Sequence, residues 1–368
     1  MRAPESCWQR LRCLPLEVEA VRLEPLATTA PGGFERLTTV IVLEGGGVAG
    51  RGEDVTYDAA DHRILQADRA WNDPAGASAR KLVGRFELAD FCALVASLDL
   101  FPQPPQREVS RRYRRWAFEA AALDLALRQG SRALAEVLGI EPRPVRFVVS
   151  TRLEERAGRA LPDRVFELLE RYPGTRFKLD PTNAWDDELC RQLAGTGAVD
   201  VLDLKGHYRG TPVDVETDPA LYRRVLAAFP EAIIEDPDVT PATRPLLEPH
   251  VARLSFDAPV HEAGDVDALP FPVRHLNVKP SRIGSLAELF AVYALCAQRG
   301  IACYGGGQFE LGPGRAQIQQ LASLFHPDAP NDVAPAGYNE VEPPDGLPTS
   351  PLAPPQGVGF PAESLAGS

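Results

Sequence analysis

Residues Ala232-Ile233-Ile234-Glu235-Asp236-Pro237 form an apolar run that stops at an acid, followed by a proline that ends strand pairing. An all-apolar strand of this length belongs in a parallel sheet covered on both faces. An acid at its C-terminal end faces the loop layer, where α/β barrels place their chemistry. The device recurs on either side. Val199-Asp200-Val201-Leu202-Asp203 ends in Asp203, Arg253-Leu254-Ser255-Phe256-Asp257 in Asp257, and His275-Leu276-Asn277-Val278-Lys279 in Lys279. The gaps are 32, 22 and 22 residues (235−203, 257−235, 279−257), each about one βα unit. Three carboxylates on consecutive strands make an oxygen site for a hard divalent cation, and the lysine sets a basic amine beside it.

Composition narrows the classes. A chain of 368 residues suits one large domain plus a smaller one. A net charge of −12 argues against nucleic acid as a partner, but leaves small anionic substrates open because local charge governs those. The six cysteines include no C-x-x-C pair and read as reduced thiols. No apolar run approaches the roughly 18 residues of a membrane span, and the N-terminus lacks a signal-type apolar stretch. The expectation is a cytoplasmic protein without membrane association.

Residues 1–15 read as a loose leader. From 16 to 140 a β-meander gives way to helix, which suggests a separate α+β domain. Its strands are Val18-Glu19-Ala20-Val21-Arg22-Leu23 and Leu37-Thr38-Thr39-Val40-Ile41-Val42-Leu43. Gly45-Gly46-Gly47-Val48-Ala49-Gly50 satisfies G-x-G-x-x-G, but no helix pattern follows it, so the glycines read as hairpin turn positions. From 77 to 139 the signal is helical, strongest at Trp116–Leu127. Across 141–335 strands alternate with helices in seven βα units, enough to close a barrel. Asp218-Pro219 and Thr240-Pro241 each pair an N-cap residue with proline and mark helix starts. The last 42 residues hold ten prolines from Pro327 onward, with no helical period, and 336–368 reads as an extended tail.

At such a site Asp203, Glu235 and Asp257 would set three negative charges against a cation, leaving positions for water and substrate, as Mg²⁺ prefers. A cation on a substrate carboxylate stabilises the enediolate formed when the α-proton leaves. The proton needs a base. Lys279 is the first candidate, Lys178 the second and Lys205 the third. His207, in Gly206-His207-Tyr208-Arg209-Gly210, is a polar loop residue that could touch substrate. No His-x-x-x-His pair suggests zinc, and no G-x-S-x-G elbow occurs.

These residues resemble the enolase superfamily, in its muconate-lactonizing-enzyme and mandelate-racemase branch and closest to the lysine-base, o-succinylbenzoate-synthase-like members. Gly50-Arg51-Gly52-Glu53, Ala122-Leu123-Asp124-Leu125-Ala126-Leu127, Glu235-Asp236-Pro237, Lys279-Pro280-Ser281-Arg282-Ile283-Gly284 and Gln308-Phe309-Glu310-Leu311-Gly312 carry the likeness, and Pro354–Phe360 is similar to the family's return to the cap. The resemblance implies an α/β fold, a modified (β/α)7β TIM-type barrel with an N-terminal α+β capping domain. It also implies Mg²⁺ (with Mn²⁺ as substitute) at Asp203, Glu235 and Asp257, and substrate contacts at Asp180, His207, Gln308 and Glu310 and in the loops at 26–34 and 51–60. The implied activity is a lyase or isomerase working by α-proton abstraction from a small carboxylate, with self-association left open.

Two positions depart from the family pattern. The second strand reads Lys178-Leu179-Asp180 where the family has Lys-x-Lys, and the third reads Asp203-Leu204-Lys205 where it has Asp-x-Asn. Lys205 shares a face with Asp203 by the period of two, so an Asp180–Lys205 ion pair that restores the lost ammonium is expected. A rival registration makes Asp180 the first metal ligand, although its gap of 55 residues to Glu235 spans two βα units. A catalytically silent, enolase-like binding or structural protein is the alternative from another class.

Overall fold

The computed structural model describes residues 5–29, 35–73 and 75–361. Strand β1 (Pro15–Val18) is followed by a meander of β2 (Ala20–Thr29), β3 (Glu35–Gly45) and β4 (Val48–Asp54), and β5 (Gly84–Glu87) pairs back antiparallel onto β1. A helix over Ser110–Gln129 packs against β4. The close approach explains two glycines: a Cβ on Gly50 would stand 2.3 Å from the Ala121 carbonyl oxygen, and one on Gly52 would stand 2.0 Å from that of Ala117. The Gly45-Gly46-Gly47 run is the β3–β4 hairpin, with Gly46 and Gly47 at φ 60° and 75°, so the fingerprint reading fails in the way its missing helix suggested.

The second half begins at β6 (Val149–Thr151), carries a small hairpin of β7 (Glu154–Arg156) and β8 (Arg159–Leu161), and continues through β9 (Phe177–Leu179), β10 (Val199–Asp203), β11 (Ile233–Glu235), β12 (Leu254–Phe256), β13 (His275–Val278) and β14 (Ala302–Gly305). The order β14-β13-β12-β11-β10-β9-β6 is a curled, all-parallel seven-stranded sheet. Its two edges are bridged by one segment: Asn331 pairs parallel with Phe147, and Asp332 with Gly306. The seven-unit barrel is thus closed by a short eighth stretch. The chain then runs back over the molecule. Leu352 bridges Val145, and Phe360 is buried edge-on against Trp116, with its amide donating to Asp124.

Several expectations need correction. Residues 5–11 form a helix whose Leu11 is fully buried, so that part of the stretch read as a loose leader is packed. The helical signal over 77–139 conceals β5, whose short alternating run Gly84-Arg85-Phe86-Glu87 is too brief to stand out. Asp218 caps its helix through Ala220 as expected. Thr240-Pro241 does not start one: Thr240 and Thr243 form a local turn, and the helix is Arg244–Leu247. Of the loop at 26–34, residues 30–34 lie outside the described residues. Among the described residues no helix is long and apolar enough to cross a membrane.

Candidate metal centre

Side chains of a barrel strand alternate inward and outward, and the inward ones stack in layers. The lowest interior layer here is apolar, built from Val201, Ile233 and Tyr304. Two residues further along β10 and β11 come Asp203 and Glu235, paired in register and fully buried. The same step of two leads from Lys178 to Asp180, from Ser255 to Asp257 and from Asn277 to Lys279. Barrel shear therefore brings the sequence-predicted acids and lysines together at the carboxyl ends of the strands.

Lys178 Nζ lies 2.5 Å from Glu235 Oε1, 3.2 Å from Asp203 and 3.9 Å from Asp332. Asn277 Nδ2 also donates to Glu235 Oε1 (3.0 Å), and the Tyr304 hydroxyl donates to Oε2 (2.6 Å). Lys205 Nζ lies 3.3 Å from Asp180, within the range expected for that pair, and nearer still to Asp203 at 2.5 Å. The second contact depends on a turn that spacing does not show: Lys205 has φ 53°, and its own amide donates to Asp203 Oδ1. Lys279 Nζ is 2.8 Å from Asp257 Oδ2, which also accepts from Tyr208 (3.0 Å), while Arg282 Nε stands 3.0 Å from Oδ1.

Burial opposes ionisation of Asp203, yet Lys205 and Lys178 hold its carboxyl well below the usual range. Asp257 behaves alike, with Arg282 and Lys279 overcoming burial. Glu235 is raised, because burial outweighs Lys178. Burial pulls Lys279 down, but Asp257 reverses this and its pKa is raised. The depressed base that the sequence chemistry called for is therefore not present while Asp257 is paired with Lys279.

Among the described residues, three acids bring oxygens within 4.8 Å of one another: Asp203, Glu235 and Asp236. Asp257 is outside that set, turned towards Lys279, Arg282 and Tyr208. Asp236, which the sequence reading passed over, sits in the left-handed region at φ 46° and accepts from the amides of Asp257 (2.8 Å) and Ala258 (3.0 Å). It reads better as the clamp on the Asp257 loop than as a free ligand. Among the described residues Asn277 Oδ1 is buried without a hydrogen-bond partner, while Oδ1 of Asp180 and of Asp257 meet only the ion-pair contacts to Lys205 (3.3 Å) and Arg282 (3.0 Å), outside hydrogen-bond geometry. Buried, oxygen-only donors with acceptors to spare fit a hard divalent cation.

The remaining candidates make no hydrogen bond or ion pair with Asp203, Glu235 or Asp257 among the described residues. His207 is exposed, its ring 6.0 Å from that of Phe256. Gln308 and Glu310 are buried where β4 meets the segment after β14. There Glu310 Oε1 accepts the Gln308 amide, and Glu53 accepts the amides of Leu311, Gly312 and Gly314. Arg282, Tyr208, Asn277 and Tyr304 went without a role in the sequence reading. The period of two from Lys279 would have placed Asn277 inside, whereas the Tyr208 loop carries no periodic signal.

Comparison with known proteins agrees with this architecture. Residues 141–340 match the family described as "Domain of unknown function (DUF8230) C-terminal domain", and residues 9–137 match its N-terminal domain. The chain is 26% identical over 374 residues to o-succinylbenzoate synthase of Geobacillus stearothermophilus, covering 95% of this chain and 92% of that protein. A solved structure of an enolase superfamily member from Polaromonas sp. JS666 superposes with a TM-score of 0.67 at 16% identity, covering 95% of each chain. The dipeptide epimerase of Methylococcus capsulatus complexed with Mg ion gives 0.65 at 18%, covering 93% of this chain and 99% of that one. The chain belongs to the DUF8230 family and has the fold of enolase superfamily members.

Proposed function

We propose that this protein is a Mg²⁺-dependent lyase or isomerase that removes the α-proton of a small carboxylate substrate through an enediolate. The observation that carries this reading is the paired placement of Asp203 and Glu235 across β10 and β11, with Lys178 between them and Lys279 two strands away. Asp203, Glu235 and Asp257 would hold the cation. When bound, Mg²⁺ supplies positive charge to a substrate carboxylate and its developing oxyanion, and relieves the negative charge that keeps Lys279 protonated. Lys178 stays an ammonium, bracing Glu235 and Asp203. Lys279 takes the α-proton. Lys205, held by Asp180 and Asp203, acts as a fixed positive charge near the reacting oxygens. With Asp180 in place of the second-strand lysine, one-sided chemistry such as elimination, dehydration or cycloisomerisation is favoured over racemisation. The relatives include an o-succinylbenzoate synthase and a Mg-complexed epimerase, which supports the reaction class and the ion. Mn²⁺ would serve as substitute.

One observation favours a silent, cation-free reading: Asp203, Glu235 and Asp257 are already paired with the chain's own cations. Thermal unfolding separates the two. Under the enzyme reading Mg²⁺ at 100 times its Kd adds about 3 kcal/mol of stability, reversed by EDTA. Glu235→Gln should abolish that increment. No Mg²⁺ effect in the native chain, or an undiminished one in the variant, would overturn the assignment.

A further inference from the structure

At the opposite, N-terminal rim of the barrel, a cavity of about 500 Å³ is lined by Arg143, Arg146, Arg176, Asp328 and Ser350. The guanidinium groups are held in a chain. Arg176 pairs with Asp200, which also lies 3.8 Å from Arg146 Nη2; Arg146 Nη1 donates to the Asp328 carbonyl (3.3 Å), and Arg143 Nη2 is 2.8 Å from the Asp328 carboxylate. Three cations share two carboxylates, leaving a net charge of +1 (3 − 2). Among the described residues Arg143 spends only Nη2 on protein partners, and Ser350 Oγ accepts the Phe147 amide (3.1 Å) while its own proton has no acceptor. Arg176 is spent on Asp200 and the Gly197 carbonyl, so the open donors are those of Arg143, Arg146 and the Ser350 hydroxyl. A phosphate, with oxygens pointing in several directions, can accept from these separate donors at once.

We infer that this cavity binds a phosphate group, either inorganic phosphate or the head of a small phosphomonoester. The site is independent of the chemistry proposed at the other end of the strands. Occupancy would tie the returning segment at Ser350 to the starts of β6 and β9, whose neighbours Val145 and Leu352 already exchange backbone hydrogen bonds.

The test uses the full chain with EDTA present, comparing inorganic phosphate with chloride at matched ionic strength. Saturating phosphate should raise the melting temperature by about 2–4 °C and slow amide exchange at Ser350 and Leu352. The double variant Arg143→Met/Arg146→Met, at half-exposed positions the fold tolerates, should weaken phosphate binding by about tenfold or more. Lys205→Met, at the barrel mouth, should leave binding unchanged. Phenyl phosphate distinguishes the two sources: tighter binding than inorganic phosphate identifies an esterified ligand, and equal binding identifies the free anion. No shift in the native chain, a shift that survives the double variant, or one that Lys205→Met removes would overturn the site.

Discussion

Lys205 is one of the two departures from the family pattern, and its ammonium is held by two carboxylates, those of Asp180 and Asp203. Its left-handed backbone costs on the order of 1 kcal/mol, offset by two bonds to Asp203, one from the amide and one from Nζ. The period of two placed it on the face of Asp203, and the Asp180 partnership followed from adjacent strands. The closer Asp203 contact did not, because it depends on a turn conformation that residue spacing leaves open. A double-mutant cycle on Asp180→Asn and Lys205→Met should show a coupling of about 1–3 kcal/mol in unfolding free energy. Coupling below about 0.5 kcal/mol would mean the pair contributes only proximity. Asp236 invites a second test, because its two amide bonds fix the backbone that carries Asp257. Asp236→Asn keeps an acceptor and should bind Mg²⁺ nearly as the native chain does, whereas Asp236→Ala should weaken calorimetric Mg²⁺ affinity by about 10–100-fold. Equal affinities would return Asp236 to a purely local role.

Among the elements, the strands that bear chemistry were the most legible, since an apolar run ending in a charge recurs on successive strands at βα spacing. The short β5 and the helix near the N-terminus were not, because pairing of β5 with β1, and packing of the helix on the Leu286–Arg299 and Leu134–Leu138 helices, decide them rather than local pattern. Gly52→Ala would push a methyl group into the Ala117 carbonyl and should destabilise by about 1–3 kcal/mol in denaturant unfolding. A second element-scale prediction concerns the segment that closes the barrel. His326 is buried, with Nδ1 2.6 Å from Asn331 Oδ1 and Nε2 3.0 Å from the Tyr293 hydroxyl, and burial pushes its pKa down to about 4. The unfolded chain, with an ordinary histidine near 6.5, then binds the proton more readily. His326 contributes its full stability above about pH 6.5 and loses it as pH falls through 4, or about 2 kcal/mol between pH 7 and pH 5. His326→Gln should remove that share of the acid sensitivity in unfolding curves taken at the two pH values.

At the scale of the whole molecule, shear and alternation turn a one-dimensional pattern into a layered site: apolar side chains below, paired acids and lysines above, and a return of the chain across both halves. The acid series and Lys279 could be read because each sits at the same place in its own strand. The loop that brings Tyr208 over Asp257, and the Asn331–Asp332 bridge that closes the ring, are long-range outcomes without a local signature. The central claim is that Lys279 takes an α-proton from a carboxylate held at this centre. Its most direct test is solvent deuterium incorporation at the α-carbon of a panel of N-acylamino acids, dipeptides and acid sugars, followed by NMR with Mg²⁺ and with EDTA. The account predicts exchange with at least one substrate, abolished by EDTA and reduced by about 10²–10⁴ in Lys279→Ala. Exchange that persists undiminished in Lys279→Ala, or that ignores EDTA, would contradict it.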